Sequence, residues 1–464
     1  MKRLLQDWMT DQAESRPWAA AVIGHGQRLT YGELTATSNR LARLLRAAGC
    51  RSGERVALLA PRSPMAIVGL AGIYKADAIC VPLDVTSSAS RIQRILESCH
   101  CHWLLTSGCA GLLHELSETR DGRRSLVIGS LDREIARSGD RAIGRSPDHQ
   151  ITRSPGAHAA VFTMDDVAAY SSEPIESRND PDDPAEILFT SGSTGRPDGV
   201  VITHSNVMRF VEWAVRYFGM HPGDRIVSQS PWHVDLSLFD VFGAAAAGAE
   251  LHLLPADAGS PRRLAEFIRG RELTHWCSAP SMLSAMAKAN VLSPNDFPSL
   301  QRVIWAGDAL PTPALMQWMQ HVPHARFTNL YGQTETTIAS SYYTLPACPA
   351  DPQAAIPIGA PCAGEELLVL DEHMQPAAPG EAGDLYIAGA GLARGYWNDP
   401  DRTAAVFLHH PLRPSEWIYK TGDRARTEHD GLVYFLGPSE TPTDRSRLRD
   451  AFAARIDPNA ARTA

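Results

Sequence analysis

Hydroxyl and glycine residues are concentrated in the segment Thr190-Ser-Gly-Ser-Thr-Gly-Arg-Pro-Asp-Gly199, directly after the apolar run Ile187-Leu-Phe189. Glycine lets the backbone approach an anion closely and direct its N–H groups at it, and Ser and Thr hydroxyls add neutral donors. The segment therefore predicts a polyphosphate-binding loop. Its spacing differs from that of the nucleotide-binding P-loop, which needs Gly, four residues, then Gly-Lys-Ser/Thr. For this stretch alone, a plain Gly/Ser linker is the alternative.

Three further segments place a carboxylate where it could meet a ligand. Glu335 ends the segment Asn329-Leu-Tyr-Gly-Gln-Thr-Glu335 and could hold Mg²⁺ against phosphates, because hard cations take oxygen ligands. Asp423 ends Tyr419-Lys-Thr-Gly-Asp423, where a tight turn could present it to both hydroxyls of a ribose. Taken alone, each of these two segments is more simply a solvated turn. Asp235 has apolar neighbours on both sides, and such a carboxylate is costly to bury unless it meets a cation, such as a substrate ammonium.

Two other patterns imitate known sites. The segment Gly389-Ala-Gly-Leu-Ala-Arg-Gly395 resembles a dinucleotide fingerprint, but its last glycine comes one residue late and no long βαβ unit surrounds it. The segment Cys99-His-Cys-His102 has soft metal ligands, yet alternating residues of a strand point to opposite faces, and no second ligand pair follows at zinc spacing. We interpret both as structural.

Composition excludes several classes of function. The chain has 464 residues, 44% of them hydrophobic, which is enough for two or three structural units. Its net charge of −8 argues against a nucleic-acid-binding surface. Eight irregularly spaced cysteines and an N-terminus without a signal sequence favour the cytoplasm. The longest apolar stretch, residues 242–254, falls short of a membrane span.

The elements that must position these residues follow an α/β pattern. Residues 1–115 alternate amphipathic helical patterns with short apolar runs, and the same alternation returns over residues 187–340, which predicts mostly parallel sheets. Residues 119–183 are polar and predict an extended surface excursion with one apolar island at 159–162. Short strands with Gly and Pro turns over 356–436 predict a smaller β-rich unit, and residues 438–464 predict a disordered tail.

Together these segments resemble the adenylate-forming superfamily, and most closely the amino-acid adenylation domains of nonribosomal peptide synthetases. The resemblance runs from about residue 5 to residue 437. The matching segments are Leu29-Thr-Tyr-Gly-Glu-Leu34, Gly53-Glu-Arg-Val-Ala57, residues 75–84, the 190–199 loop, Phe239-Asp-Val-Phe-Gly243, Ala306-Gly-Asp-Ala-Leu310, residues 331–335, Gly383-Asp-Leu-Tyr-Ile387, residues 391–396 and residues 419–423. The resemblance implies a large N-terminal core over 1–437, with two α/β subdomains in 1–355 and a β-rich subdomain in 356–437.

The resemblance also implies a reaction, in which a carboxylate and ATP give acyl-AMP and pyrophosphate with the help of Mg²⁺. Catalysis would come mainly from positioning and from charge neutralisation at the α-phosphate. Thr190 and Glu335 are expected to act in catalysis, Glu335 with the metal, and Tyr331 is expected to lie against the adenine. The implied nucleotide contacts are Ser191, Gly192, Ser193, Thr194, Gly195, Gly307, Asp308, Ala309, Asn329, Tyr331, Gly332, Thr334 and Asp423.

The substrate position is also implied by the resemblance. Asp235 matches the residue that holds the α-ammonium in amino-acid-activating members, whereas aryl- and fatty-acid-activating relatives generally lack an acid there. The side-chain pocket would be lined by Leu236, Phe239, Ser278, Ile304, Ala306, Leu330, Ile338 and Ala339. These residues are mostly apolar and include no charge, so we expect a small aliphatic amino acid, with alanine as the first hypothesis.

The chain departs from the family pattern in two places. Asp198 stands where the phosphate loop normally has Lys, and two like charges about 5 Å apart at an effective dielectric of about 20 repel by roughly 3 kcal/mol. After Gly437 the family continues into a mobile subdomain that carries the lysine at the α-phosphate, whereas this chain reads Pro438-Ser-Glu-Thr441. An amino-acid-activating enzyme is therefore expected to be slow alone or completed in trans by a separate C-terminal subdomain, with a carrier protein as a further partner. A nucleotide- and amino-acid-binding remnant and a coenzyme A ligase are the alternatives.

Overall fold

The computed structural model describes residues 2–118, 126–130, 159–190 and 197–439. The chain divides into two compact units. The first comprises residues 1–190, 201–204 and 231–233, and the second comprises residues 191–200, 205–230 and 234–464. Within the described parts of the chain, no helix has the length and apolar character needed to cross a membrane.

The first unit alternates helices with strands. Its helices are α1 (Asp7–Ser15), α2 (Tyr31–Ala47), α3 (Pro64–Lys75), α4 (Ala89–Ser98), α5 (Ala110–Glu118) and α6 (Met164–Ala168). Its strands are β1 (Ala20–Gly24), β2 (Gln27–Thr30), β3 (Arg55–Leu59), β4 (Ile79–Pro82), β5 (Trp103–Thr106), β6 (Leu126–Ser130), β7 (Ala159–Phe162) and β8 (Pro184–Thr190). The next strand is β9 (Asp198–Thr203), whose residues belong partly to each unit. β1 and β2 form an antiparallel hairpin. The other strands form a sheet in the order β7-β6-β5-β3-β4-β8-β9.

The second unit contains a larger sheet and a smaller one. It begins with α7 (His204–Phe218), β10 (Arg225–Ser228), α8 (Leu236–Ala247), β11 (Glu250–Leu253), α9 (Pro261–Arg271), β12 (His275–Ser278), α10 (Pro280–Lys288), β13 (Arg302–Trp305), α11 (Thr312–His321), β14 (Arg326–Tyr331), β15 (Ser341–Thr344) and β16 (Ala360–Pro361). It ends with β17 (Glu365–Leu370), β18 (Ala382–Gly389), α12 (Pro400–Val406), β19 (Phe407–His409), β20 (Trp417–Thr427) and β21 (Val433–Pro438). The larger sheet runs β16-β15-β14-β13-β12-β10-β11, and the smaller runs β17-β18-β20-β19 with β21 on β20.

Local sequence explains where the main elements begin and end. Thr30 starts α2 with a capping box, since its side chain accepts from the Glu33 N–H at 3.1 Å and Glu33 accepts from the Thr30 N–H at 2.8 Å. Gly248 ends α8 in the left-handed conformation, with φ of 67°. A core of the second unit is built around Trp276, Trp305 and Trp318, all fully buried between its helices and the larger sheet. Close packing of these indole rings stabilises the positions of β12 and β13, which contain Trp276 and Trp305.

The structure corrects three sequence predictions. The polar stretch 119–183 contains, among its described residues, the strands β6 and β7, and both pair in parallel within the first sheet. Cys99 and Cys101 do not lie on a strand, because they follow α4 in a turn with their sulfur atoms 3.2 Å apart. Pro438, predicted to begin the tail, ends β21, and Ser439 donates its N–H to Gly422; the rest of the tail lies outside the described residues.

Gly359 provides a test of packing in the second unit. Its φ is +87°, and a Cβ there would lie 2.0 Å from the carbonyl oxygen of Tyr342. Gly359→Ala is expected to cost about 1–2 kcal/mol for the left-handed backbone and a further roughly 1–3 kcal/mol for the collision. Gly380 is the matched control, since its φ is +86° and no atom lies within 4 Å of the added carbon. Urea unfolding should show the larger loss for Gly359→Ala, and equal losses would contradict a tight contact at Tyr342.

Candidate active site

Three of the predicted substrate residues lie at one edge of the larger sheet. β12, β13 and β14 are parallel neighbours, with Ser278 opposite Trp305 and Trp305 opposite Asn329. Ser278, Ala306 and Leu330 therefore lie at or beside the carboxyl ends of consecutive strands. In open α/β sheets this edge is where ligands bind.

Asp235 lies immediately before α8 and is buried. Its Oδ2 accepts a hydrogen bond from the Ile338 N–H at 3.2 Å, across 103 residues of sequence. Burial raises the pKa of the Asp235 carboxyl to about 6, although hydrogen bonds from Ile338 and Leu236 oppose the shift. A buried carboxylate with this cost is suited to a cationic partner, because an ammonium would favour its charged form.

The backbone that donates to Asp235 is held in an uncommon conformation. Thr337 and Ile338 have φ of 56° and 70°, in the left-handed region that β-branched residues rarely adopt. The Thr337 hydroxyl donates to the Gly391 carbonyl at 2.7 Å and so helps to fix the turn. Strain of this kind persists only where the surroundings enforce it, and it occurs preferentially at functional sites.

The remaining predicted pocket residues are all buried. They are Leu236, Phe239, Ser278, Ile304, Ala306, Leu330, Ile338 and Ala339. Ser278 is the polar member, and its hydroxyl contacts the Gln229 side-chain oxygen and the Ala279 carbonyl, each at 3.4 Å. Gln229 was not predicted from the sequence; it also accepts from the Trp276 indole N–H at 2.8 Å. No ionisable side chain is among these predicted pocket residues, which suits an apolar ligand side chain.

Tyr331 and Asp423, predicted for adenine and ribose, are in direct contact. The Tyr331 hydroxyl donates to Asp423 Oδ2 at 2.7 Å. Gln333 donates to the same carboxylate oxygen at 3.0 Å and to the Tyr331 hydroxyl at 2.8 Å. The Thr421 hydroxyl accepts from the Asp423 N–H at 3.0 Å and fixes the turn. Gln333 lies inside a quoted motif but had no predicted role, and its link to Asp423 joins β20 to the end of β14 across 90 residues.

Glu335, predicted to assist the metal, is buried in a short 3₁₀ turn after β14. Its Oε1 accepts from the Tyr396 hydroxyl at 2.6 Å, and its carbonyl accepts from the Ala393 N–H at 2.9 Å. Tyr396 belongs to a motif quoted above, but no pattern in the sequence predicts the contact between its hydroxyl and this carboxylate. The short hydrogen bond fixes the orientation of the carboxylate.

Asp198 is paired with a cation, contrary to the expectation of an uncompensated charge. Its Oδ2 lies 2.5 Å from Nη1 of Arg402, a residue that sequence analysis did not single out. The Arg402 guanidinium in turn lies 4.6 Å from the centre of the Tyr396 ring. The charge of Asp198 is therefore balanced within the second unit.

The other predicted nucleotide residues occupy several positions. Gly307, Asp308 and Ala309 form an exposed turn after β13, where the Asp308 side chain accepts from the Ala309 N–H at 2.7 Å. The Asn329 amide donates to the Pro357 carbonyl at 2.9 Å. Two described residues of the set remain. At Gly332 a Cβ would lie 2.5 Å from the Ala339 backbone. Hydrogen bonding by the Thr334 side chain lowers the pKa of Asp235, against the larger effect of burial. Thr190 ends β8 in the first unit, and Ser191, Gly192, Ser193, Thr194 and Gly195 lie outside the described residues.

The carboxylates of the site are compatible with a metal ion that is coordinated partly by the protein and partly by the phosphates of its ligand. Among the described residues, no group of three or more His, Cys, Asp or Glu side chains is arranged to hold a metal by itself. Mg²⁺ commonly takes one or two carboxylates, and substrate phosphates complete its shell. A single oriented carboxylate at Glu335 is compatible with that mode.

Comparisons with known proteins identify the family of the chain. Residues 9–397 match the family described as AMP-binding enzyme. Bacitracin synthase 1 of Bacillus licheniformis is 32% identical, and the aligned region covers 94% of this chain but 8% of that protein. Zwittermicin A synthase ZmaJ of Bacillus cereus is 30% identical over 94% of this chain and 77% of its own length. The chain thus spans a small fraction of the multidomain synthases.

A solved relative shares the architecture. The structure of the nonribosomal peptide synthetase FmoA3 superposes with a TM-score of 0.80 at 30% identity, over 95% of this chain and 43% of FmoA3. Its complex with α-methyl-L-serine-AMP gives a TM-score of 0.79 at 29% identity, over 97% of this chain and 46% of FmoA3. The predicted α/β fold of the large adenylate-forming core is confirmed. The chain belongs to the AMP-binding enzyme family, among the adenylation domains of nonribosomal peptide synthetases.

Proposed function

We propose that this protein uses ATP to convert a small aliphatic amino acid, alanine first, into aminoacyl-AMP with release of pyrophosphate. The observation that carries the proposal is Asp235, a buried carboxylate that accepts a hydrogen bond from the Ile338 N–H. The other residues predicted for the same pocket are buried and mostly apolar. Membership of the AMP-binding family supports the use of ATP. The FmoA3 complex with an amino acid adenylate supports an amino acid as the substrate class.

In the proposed reaction, a carboxylate oxygen of the amino acid forms a bond to the α-phosphorus of ATP. The bond from that phosphorus to the bridging oxygen breaks, and pyrophosphate leaves with the electron pair. Asp235 would hold the α-ammonium, Asp423 the ribose and Tyr331 the adenine. Mg²⁺ would neutralise phosphate charge, and Glu335 is the residue proposed to hold it. The catalytic contribution of the protein is positioning and electrostatic stabilisation.

The glycine- and hydroxyl-rich segment is assigned by the same proposal. The β- and γ-phosphates would be bound by Thr190, Ser191, Gly192, Ser193, Thr194 and Gly195. Donors from the turn at Gly307, Asp308 and Ala309 would contribute as well.

We also propose a division of the core into α/β residues 1–355 and β-rich residues 356–437. A carrier protein is the proposed acceptor of the activated amino acid, by analogy with the synthases that the chain resembles.

The specificity proposal rests on size and charge. The lining residues Leu236, Phe239, Ile304, Ala306, Leu330, Ile338 and Ala339 offer apolar surface, and Ser278 carries the hydroxyl already in contact with Gln229. A charged ligand side chain would lose its hydration without gaining a partner, which costs several kcal/mol. An apolar pocket separates ligands that differ by one methylene by only about 1–3 kcal/mol, so neighbours of alanine should also be accepted.

Amino-acid-dependent exchange of labelled pyrophosphate into ATP tests the proposal. The twenty amino acids are assayed one by one, and small aliphatic ones are expected to give exchange roughly tenfold or more above charged ones. The assay is run on the protein alone and after addition of a C-terminal subdomain from a related adenylation domain. Preference for a charged amino acid would refute the pocket assignment. Absence of exchange under both conditions, with ATP binding retained, would favour the binding remnant instead.

A further inference from the structure

We propose that Arg402 is a positioning residue of the ATP site, which neutralises Asp198 and holds Tyr396 against Glu335. This inference rests on the proposed function, because Glu335 is the residue assigned to the metal. When the phosphate loop is considered alone, Asp198 is an unfavourable charge near the phosphates, and no local pattern assigns a role to Arg402.

The ion pair is built into the structure rather than formed by two freely moving surface side chains. Arg402 Nη1 lies 2.5 Å from Asp198 Oδ2, and the exposed fractions of the two side chains are 29% and 9%. Burial and the nearby Asp399 and Glu335 raise the pKa of Asp198, whereas Arg402 lowers it. Arg402 thus faces a group of acids that would otherwise repel one another and any phosphate bound near them.

The backbone fixes the position of Arg402. It lies in the first turn of α12, where Asp399 accepts from its N–H at 3.0 Å and Pro400 occupies the first helical position. The same turn contributes Thr403, whose hydroxyl accepts from the Tyr396 N–H at 2.9 Å. Arg402 and Tyr396 are therefore held together by a capped helix start.

Tyr396 links Arg402 to Glu335, the carboxylate proposed to hold the metal. The Arg402 guanidinium lies 4.6 Å from the centre of the Tyr396 ring, within the range of a cation–π contact. The hydroxyl of the same ring donates to Glu335 Oε1 at 2.6 Å. The Trp397 N–H donates to the Gly199 carbonyl at 2.7 Å, which also ties this segment to the residue after Asp198. One side chain thus balances Asp198 and orients the ring that orients Glu335.

A comparison of single and double variants tests the inference by measuring ligand binding rather than turnover. Isothermal titration calorimetry measures the affinity for ATP, and for the Mg²⁺–ATP complex over a range of Mg²⁺ concentrations. Arg402→Leu is expected to weaken Mg²⁺–ATP binding about tenfold or more and to raise the Mg²⁺ concentration at half-saturation, because it removes the cation that faces Asp198. Asp198→Asn combined with Arg402→Leu is expected to recover most of that affinity, since neither charge remains. Arg402→Lys should retain the positive charge but lose part of the contact with the Tyr396 ring. Its affinity for Mg²⁺–ATP should therefore lie between those of wild type and Arg402→Leu.

Arg413→Leu is the matched control. Arg413 lies in the same unit and pairs with Glu366 and Glu416 on the surface, so its removal should leave Mg²⁺–ATP affinity unchanged. A purely structural role for Arg402 would lower the melting temperature and leave the Mg²⁺ half-saturation of the folded variants unchanged, which would overturn the inference. Failure of the double variant to recover affinity would also overturn it. If wild type binds Mg²⁺–ATP but shows no amino-acid-dependent exchange, the proposed function fails while this binding test still decides on Arg402.

Discussion

Replacing Asp235 by Asn is expected to lower kcat/KM for the amino acid by about 10²-fold or more, with little change in the KM for ATP. Loss of one partner from a buried charge pair commonly costs about 3–5 kcal/mol, and the buried amide would leave the substrate ammonium unpaired. Pyrophosphate exchange, measured against amino acid and ATP concentration separately, provides the two constants. An unchanged KM for the amino acid would contradict the assignment of Asp235.

The pH dependence of the wild-type protein offers an independent measurement of the same group. Burial raises the pKa of Asp235 from its ordinary 3.8 to about 6, so protonation should weaken amino acid binding as pH falls through that value. The Asp235→Asn variant should lack this part of the pH profile. Because a raised carboxyl pKa means that ionisation destabilises the ligand-free fold, the penalty is full above about pH 6 and absent below about pH 4. The variant should therefore unfold no earlier than wild type at pH 7.5.

Asp257→Asn is the matched control for this substitution. Asp257 also belongs to the second unit, and its side chain is 74% exposed in a surface pair with Arg263. Exposed pairs of this kind contribute little to stability, so neither kinetic constant should change. A loss of exchange in the control would indicate a general effect of the substitution rather than a role in the site.

Short-range signals in the sequence were sufficient for the fold class and for the few strands that they located. Runs such as residues 56–60, 79–83 and 303–305 are apolar and short, and each overlaps a strand of the structure. β6 escaped prediction because its five residues, Leu126–Ser130, are enclosed by polar sequence. Its parallel pairing with β5 is a tertiary contact that no local pattern encodes.

The candidate site also contains residues that local sequence predicts and contacts that it does not predict. Asp235 was singled out because a carboxylate between apolar neighbours must find a partner, and that reasoning needs only adjacent residues. Its hydrogen bond from Ile338 spans 103 residues, and the pairing of Asp198 with Arg402 spans 204, so neither could be read from spacing along the chain. Arg402 gave no local signal, because an arginine in the first turn of a helix beside a proline is most simply a solvated residue.

Long-range pairing also changes the meaning of a departure from the family pattern. Asp198 in place of Lys suggests a weakened phosphate site when the loop is considered alone. With Arg402 in contact, the negative charge of Asp198 is offset by one positive charge, and the repulsion estimated from Asp198 alone no longer applies in full. A substitution at one position is therefore informative only together with the residue that faces it.

Glu335→Gln is expected to reduce the exchange rate by about 10²-fold or more and to shift the Mg²⁺ requirement to higher concentration. The substitution preserves shape but removes the negative charge proposed to hold Mg²⁺, and electrostatic groups at a phosphoryl centre commonly contribute effects of this size. The hydrogen bond from Tyr396 can still be accepted by the amide oxygen, so the fold should be retained. Exchange rates over a Mg²⁺ titration, with ATP affinity in the absence of metal as a second readout, measure the effect.

Glu372→Gln controls for the loss of a carboxylate elsewhere in the second unit, since that side chain is 86% exposed. Its exchange rate and Mg²⁺ dependence should match those of wild type. ATP affinity without metal should be unchanged or slightly stronger in Glu335→Gln, because a negative charge near the phosphates has been removed. A variant that lost metal-free ATP binding instead would assign Glu335 to the nucleotide site as a structural support. The separation of metal-dependent from metal-independent binding is thus what distinguishes a metal-holding carboxylate from one that only braces the turn after β14.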